Sequence, residues 1–267
     1  VPELSTDLGR RAWWIDAFIG EGARGNPAVV VLLESRLSTA GCQQIASELA
    51  VAETAFLRQQ QQGWELRCFA PTVEVDLFGH ATLAALHVLC EELEAPGRDH
   101  VFSTRSGPIA GRCEGRNYVV ELPRHEVARA ETEDVERALH SVTDAWTTEV
   151  GDLVCLVDSY DALCGLNRDA VEMFLVPASL VVAFAVGGVD SDVALRVFAP
   201  RLGIREDAAT GRAMCAVAPI WYERTGEREL LARQVSTRGG VMASHLFEDR
   251  VEVTGRARTF LSGELWV

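Results

Sequence analysis

Arg67-Cys68-Phe69-Ala70-Pro71 and Arg196-Val197-Phe198-Ala199-Pro200 repeat one pattern, Arg-x-Phe-Ala-Pro, about half a chain length apart in 267 residues. Each copy leads through acidic residues to a glycine and then an apolar run. The first continues Glu74-Val75-Asp76-Leu77-Phe78-Gly79-His80-Ala81-Thr82-Leu83-Ala84-Ala85. The second continues Arg205-Glu206-Asp207-Ala208-Ala209-Thr210-Gly211-Arg212-Ala213-Met214-Cys215-Ala216. Such a period is too long for a solenoid or propeller. It predicts two similar halves, each ending a strand at the start of a buried helix, with a site where the two starts meet.

Working outward, Trp13–Ile19 and the β-branched run Ala28–Leu33 read as strands. Ser38 is an N-cap for a helix over Thr39–Leu49, where Cys42, Ile45, Ala46 and Leu49 fall at helical spacing. Strands follow at Thr54–Arg58 and Trp64–Phe69, and Ala81–Leu93 is a helix apolar on more than one face, hence buried on most sides. His100–Ser103 and Tyr118–Leu122 close the first half as strands. The charged stretch Pro123–Glu133 reads as a linker, dividing the chain into halves 1–123 and 124–267, with the last strand free to pack back on the first half. In the second half a helix starts near Thr132–Leu139, and strands are expected at Asp152–Val157, Leu180–Val186 and Asp190–Phe198. A second apolar helix covers Gly211–Arg224, followed by strands at Gln234–Ser236, Val241–Phe247, Val251–Thr254 and Thr259–Val267. Many strands with one apolar helix per half is an α+β plan.

Composition narrows the function. A net charge of −14 argues against nucleic acid as a partner. All 25 basic residues are arginine, so Schiff-base chemistry and a Gly-Lys-Ser/Thr phosphate loop are excluded. The seven cysteines show no Cys-x-x-Cys pair or clustered histidine and read as buried apolar residues in a reducing compartment. Glu74, Asp76, His80 and His87 lack the tight spacing of a metal site, so no metal is expected. With neither a signal-like apolar segment in Val1–Arg11 nor an apolar run long enough to span a bilayer, a cytoplasmic protein without a membrane partner is expected.

Gly20-Glu21-Gly22-Ala23-Arg24-Gly25 matches Gly-x-Gly-x-x-Gly, but a strand rather than a helix follows, so it reads as a tight connection and not a nucleotide site. Glu53 lies among small and apolar residues in Leu49–Leu57; burial without a cation would raise its pKa toward the range useful for proton transfer. An exposed helix-end acid is the alternative. His80, after Gly79 at a helix start, is either a donor to a polar substrate group or a histidine satisfied near a cap. Asp207 holds the matching place in the second half as a site acid, a solvated acid or an N-cap.

These residues carry a resemblance. Ile15-Asp16-Ala17-Phe18, Arg24-Gly25-Asn26-Pro27-Ala28-Val29-Val30, Ala52-Glu53-Thr54-Ala55-Phe56 and Gly79-His80 resemble the phenazine-biosynthesis PhzF-like isomerase family. So do Glu206-Asp207-x-Ala209-Thr210-Gly211, Gln234-x-Ser236-x-Arg238-Gly239-Gly240 and Val251-x-Val253-x-Gly255-x-Ala257. The resemblance implies a diaminopimelate-epimerase-like fold of two pseudosymmetric halves, each a sheet wrapped around a central helix, with the site in the cleft between them. It implies cofactor-free proton chemistry, often in homodimers, with Glu53 as acid/base and His80 and Asp207 assisting. Gly79, Ala81, Gly211 and Arg212 are the expected substrate-binding positions. The chain departs from the family pattern at Ala52, Ala81, Ala208 and Arg212; an arginine at the last place clamps a substrate carboxylate or faces outward. These changes point to a carboxylated intermediate of an antibiotic-type secondary pathway other than the phenazine precursor. Two-thiol epimerisation and non-catalytic metabolite binding are the alternatives.

Overall fold

The structure, a computed structural model, describes residues 9–75, 79–95, 97–131, 139, 141–167, 176–199 and 204–266. Asp76, Leu77, Phe78, Pro200, Val267, residues 1–8 and nearly all of the helix expected from Thr132 lie outside them. The chain forms two compact units. One comprises Gly25–Glu121 with the flanking segments that end at Ile19 and begin at Thr254; the other comprises Gly20–Arg24 and Leu122–Val253.

In the first unit, β1 (Arg10–Ile19) pairs antiparallel with β2 (Asn26–Leu33), and β2 pairs parallel with β3 (Glu53–Gln59) through the crossover helix α1 (Thr39–Leu49). Strand β3 pairs antiparallel with β4 (Trp64–Phe69), which carries the short β5 (Glu74–Val75) and then pairs parallel with β6 (Asp99–Thr104). Antiparallel β7 (Gly107–Glu114) and β8 (Asn117–Pro123) continue the sheet. Ser38 caps α1, its Oγ accepting from Gly41 N at 3.1 Å. Cys42, Ile45 and Ala46 of α1 pack with Val29, Val31, Phe56 and Phe69.

The central helix α2 (Gly79–His87) continues as a π-helical turn over Val88–Glu92. All nine residues of α2 are buried, as an apolar helix without a polar face requires. It packs on β1, β2, β3 and β7. Gly255 permits one close approach, since a Cβ there would collide with the Phe18 ring and crowd Leu83.

The second unit repeats this plan. Strands β9 (Val127–Arg129), β10 (Val142–Thr148) and β11 (Leu153–Val157) pair antiparallel in turn. Strand β11 pairs parallel with β12 (Val181–Val186), with α3 (Tyr160–Gly165) between them in sequence. Strand β12 pairs antiparallel with β13 (Val193–Ala199), which carries β14 (Ile204–Asp207) and pairs parallel with β15 (Glu229–Gln234). Antiparallel β16 (Gly240–Leu246) and then β17 (Arg250–Leu265) complete the chain order, and β17 returns to pair with β1. Every residue of β11 is buried, the pattern of a parallel strand covered on both faces. The central helix here is α4 (Met214–Thr225), entered by a 3-10 turn over Gly211–Ala213 and buried from Met214 to Ile220.

The duplicated pentapeptide has one geometry in both units. The Arg67 guanidinium lies over Phe69 at 5.1 Å, and Arg196 lies over Phe198 at 5.1 Å, because residues two apart share a strand face. Arg67 Nε donates to Glu74 at 2.8 Å, and Arg196 Nε to Glu206 at 2.7 Å. Each arginine also grips its crossover: Arg67 reaches Thr39 Oγ1 at 2.8 Å, and Arg196 reaches the Leu166 carbonyl at 2.6 Å. The fold is thus α+β with two pseudosymmetric halves, each a mixed sheet packed on a central apolar helix.

Several expectations change. The described part of the expected linker Pro123–Glu133, residues 123–131, is no free linker: it contains β9, and buried His125 donates its backbone N–H to the Cys215 carbonyl at 3.0 Å. Gly20–Ala23 is a turn closed by two backbone bonds of 3.1 Å and followed by β2, so no helix stands there to hold a pyrophosphate. The cysteines are not all unpaired, since Cys90 and Cys113 form a disulfide; Cys42, Cys68, Cys155 and Cys215 are free and buried, and Cys164 is exposed. Among the described residues no helix is long and apolar enough to cross a membrane.

Candidate active site

Glu53 opens β3 just past the left-handed Ala50 that ends α1, in parallel register with Ala28. His80 is the second residue of α2, at the helix end whose first N–H groups lack intrahelical acceptors. The fold brings these two side chains together, with Glu53 Oε2 3.5 Å from His80 Nε2 and the side chains only 13% and 6% exposed. The separation exceeds a tight hydrogen bond, as acid/base pairs often do before a substrate compresses them. Gly79 and Ala81 flank His80 and are buried with it. Cys68, on β4, has its thiol pushed far up, by burial first and then by the carboxylates of Glu53 and Glu74. It is therefore a packing residue and no nucleophile.

In the second unit, Asp207 ends β14 and is buried. Its Oδ2 accepts from Thr210 Oγ1 at 2.5 Å and its Oδ1 from Ala208 N at 3.0 Å. Gln234 locks the same loop, donating to the Asp207 carbonyl at 2.7 Å while accepting from Thr210 N at 2.8 Å. Ser236 Oγ donates to the Ala208 carbonyl at 2.7 Å. The Asp-x-x-Thr and Gln-x-Ser spacings are thus one interlocking scaffold that fixes the aspartate and Gly211, where the helical turns begin.

Arg212 neither faces outward nor presents its whole fork to solvent. Its Nε and Nη2 donate to Asp152 at 3.1 and 2.6 Å, a bidentate pair with Asp152 almost fully buried. Burial raises the Asp152 carboxyl above its ordinary value, the arginine opposing that rise. Asp152 escaped the sequence reading because it looks like an ordinary acid before a strand. Cys215, one turn into the helical segment, has its thiol pushed up to about 12 by burial. It is protonated at neutral pH, which removes the thiolate that two-thiol epimerisation needs.

The chain matches the family model described as phenazine biosynthesis-like protein over residues 15–263. It is 35% identical to an uncharacterized isomerase of Pseudomonas aeruginosa, covering 94% of this chain and 96% of that one. A phenazine biosynthesis protein of the PhzF family from Enterococcus faecalis superposes with a TM-score of 0.90 at 31% identity, over 97% of this chain and 100% of that structure. A hydroxyproline epimerase from Agrobacterium vitis, 12% identical, shares the fold alone, with a TM-score of 0.69 over 96% of this chain and 91% of its own. Two halves of one topology, the motifs that build their helix starts and a match across nearly the whole length agree: this chain belongs to the phenazine biosynthesis-like family of isomerases, with a diaminopimelate-epimerase-like fold.

Proposed function

We propose that the protein is a cofactor-independent isomerase that moves a proton, and with it a double bond, in a small unsaturated carboxylic acid of antibiotic-type secondary metabolism, and that it works as a homodimer in the cytoplasm. The observation that carries this reading is the pairing of half-buried Glu53, at the start of β3, with buried His80, at the start of α2, 3.5 Å apart. As a carboxylate, Glu53 takes a proton from one carbon of the conjugated acid. As the resulting carboxylic acid, it returns a proton to another carbon of the same system, so one group serves both half-steps. His80 orients the carboxyl group. The helix-start amides around Gly79 and Ala81 stabilise the negative charge that spreads into the substrate carboxylate.

The test is proton NMR in D2O on a panel of small conjugated carboxylic acids. The wild type should incorporate deuterium into at least one panel member as it isomerises. Glu53→Gln should still bind that acid in ligand-observed spectra yet lose at least about 10³-fold in exchange, within the range that general acid–base groups supply. Undiminished exchange by Glu53→Gln sinks the mechanism.

A further inference from the structure

Away from the residues described above, Cys90 projects from the π-helical turn that ends α2, His100 from β6 and Cys113 from the end of β7. Their ligand atoms lie within 4.8 Å of one another, with His100 Nε2 3.8 Å from Cys90 Sγ. His100 and Cys113 are buried and Cys90 is partly so. The Cα atoms of the disulfide-bonded Cys90 and Cys113 stand 7.0 Å apart, just past the roughly 4.4–6.8 Å that disulfides usually span. A tetrahedral zinc ion, with Zn–S near 2.3 Å and Zn–N near 2.0 Å, would set the sulfurs about 3.8 Å apart and each about 3.6 Å from the imidazole nitrogen. The observed 3.8 Å between His100 Nε2 and Cys90 Sγ is close to that separation. Two thiolates and an imidazole are a donor set that zinc prefers. They leave its fourth position for water, and His100 also lines an open cavity of about 600 Å³ with Trp64, Asp99 and Val101, which gives the metal a path from solvent.

We propose that Cys90, His100 and Cys113 form a redox-gated zinc site, closed as a disulfide when oxidised and binding one Zn²⁺ when reduced. A dithiol reductant opens the site: one of its thiolates attacks a disulfide sulfur, its second thiol resolves the mixed disulfide, and the dithiol leaves oxidised. Cys90 and Cys113 are then thiols, and zinc binding releases their two protons. Exchange with a disulfide oxidant takes up two protons, restores the Cys90–Cys113 bond and expels the metal. In both states the cluster ties the far end of the His80-bearing helix to β6 and β7.

The test titrates the full chain with Zn²⁺ against a chromophoric chelator, and with Co²⁺ for its thiolate-to-metal absorption, before and after dithiol reduction and removal of the reductant. The reduced wild type should bind one equivalent with thiolate-to-cobalt absorption, and the oxidised protein none. Cys113→Ser should weaken the reduced site by more than the roughly 10–100-fold that loss of a supporting outer partner costs. His100→Gln, which leaves both thiols in place, should weaken it as well, while Cys164→Ser should not. Circular dichroism establishes that each variant is folded. Absence of stoichiometric binding by the reduced wild type overturns the proposal, as does binding that survives Cys113→Ser or His100→Gln.

Discussion

Removing Arg212 distinguishes a structural ion pair from a substrate clamp. Arg212→Met leaves Asp152 buried, its side chain 4% exposed, with the Leu180 N–H at 3.2 Å as a remaining donor. Breaking a buried pair from one side costs about 3–5 kcal/mol; the 16% exposure of Arg212 and that remaining bond place the cost near the lower end, about 3 kcal/mol. Adding Asp152→Asn removes the stranded charge but keeps an acceptor for Leu180, so the double variant should recover about 2 kcal/mol of the loss. The deficit also depends on pH. The Asp152 carboxyl titrates above its ordinary 3.8 in the folded chain, burial being the larger cause. The folded state therefore binds this proton more tightly than the unfolded one. The associated stability is fully present below pH 3.8 and lost as pH rises through the raised value. Without Arg212 that value climbs further, so the Arg212→Met deficit should grow from acid to neutral pH. Urea unfolding across that range measures it. A loss under 1 kcal/mol at neutral pH, or a double variant no more stable than the single one, refutes the ion-pair reasoning. Weaker binding of an active panel acid in a stable Arg212→Met, with its amide unaffected, would return the residue to the substrate.

The repeat arginines should not be equal. Arg196→Met breaks the pair with Glu206 and releases the Leu163, Cys164 and Leu166 carbonyls, whereas Arg67→Met breaks the pair with Glu74 and releases the Leu37 carbonyl. Urea midpoints should show Arg196→Met losing more than Arg67→Met, by about 1–3 kcal/mol, because more buried carbonyls lose their donor. Thr210→Val withdraws the hydroxyl from Asp207. Urea unfolding should show a stability cost near 1 kcal/mol, with Thr210→Ser restoring it.

What was legible follows from local physics. The β-branched Ala28–Leu33, the Ser38 cap and the apolar run after Gly79 each declare their element through spacing alone. Strand β7 was illegible because Gly107, Pro108 and Gly111 read as turn residues; Gly111 is there because Leu86 of α2 packs against it. Strand β10 alternates too weakly, with Thr143, Asp144 and Thr147 between its buried positions. At the site, Glu53 and His80 were each suspect, but their proximity depends on the parallel β2–β3 crossover and a helix start, which no periodicity reports. Cys90, His100 and Cys113 come from three separate elements, so the close spacing that reveals most zinc sites never arises.

The duplicated register gives the sharpest reason for placing the chemistry on Glu53. Thr54 stands opposite Phe69 and Val181 opposite Phe198, so the two repeat phenylalanines align Glu53 with Leu180. On the neighbouring parallel strands, Val29 faces Thr54 and Leu153 faces Val181, which aligns Ala28 with Asp152. Gly79-His80 and Gly211-Arg212 stand at the corresponding helix starts. Each half therefore sets one carboxylate against one basic residue at the head of its central helix, but on adjacent strands and with different partners. Arginine remains charged throughout the accessible pH range and holds Asp152 in a bidentate fork, so that acid is committed to its ion pair. His80 stands 3.5 Å from Glu53, beyond a tight hydrogen bond. In the second half Leu180 stands where the first has Glu53, and Asp152 on the adjacent strand is held by Arg212, so the duplication repeats the fold without repeating the Glu53–His80 pair.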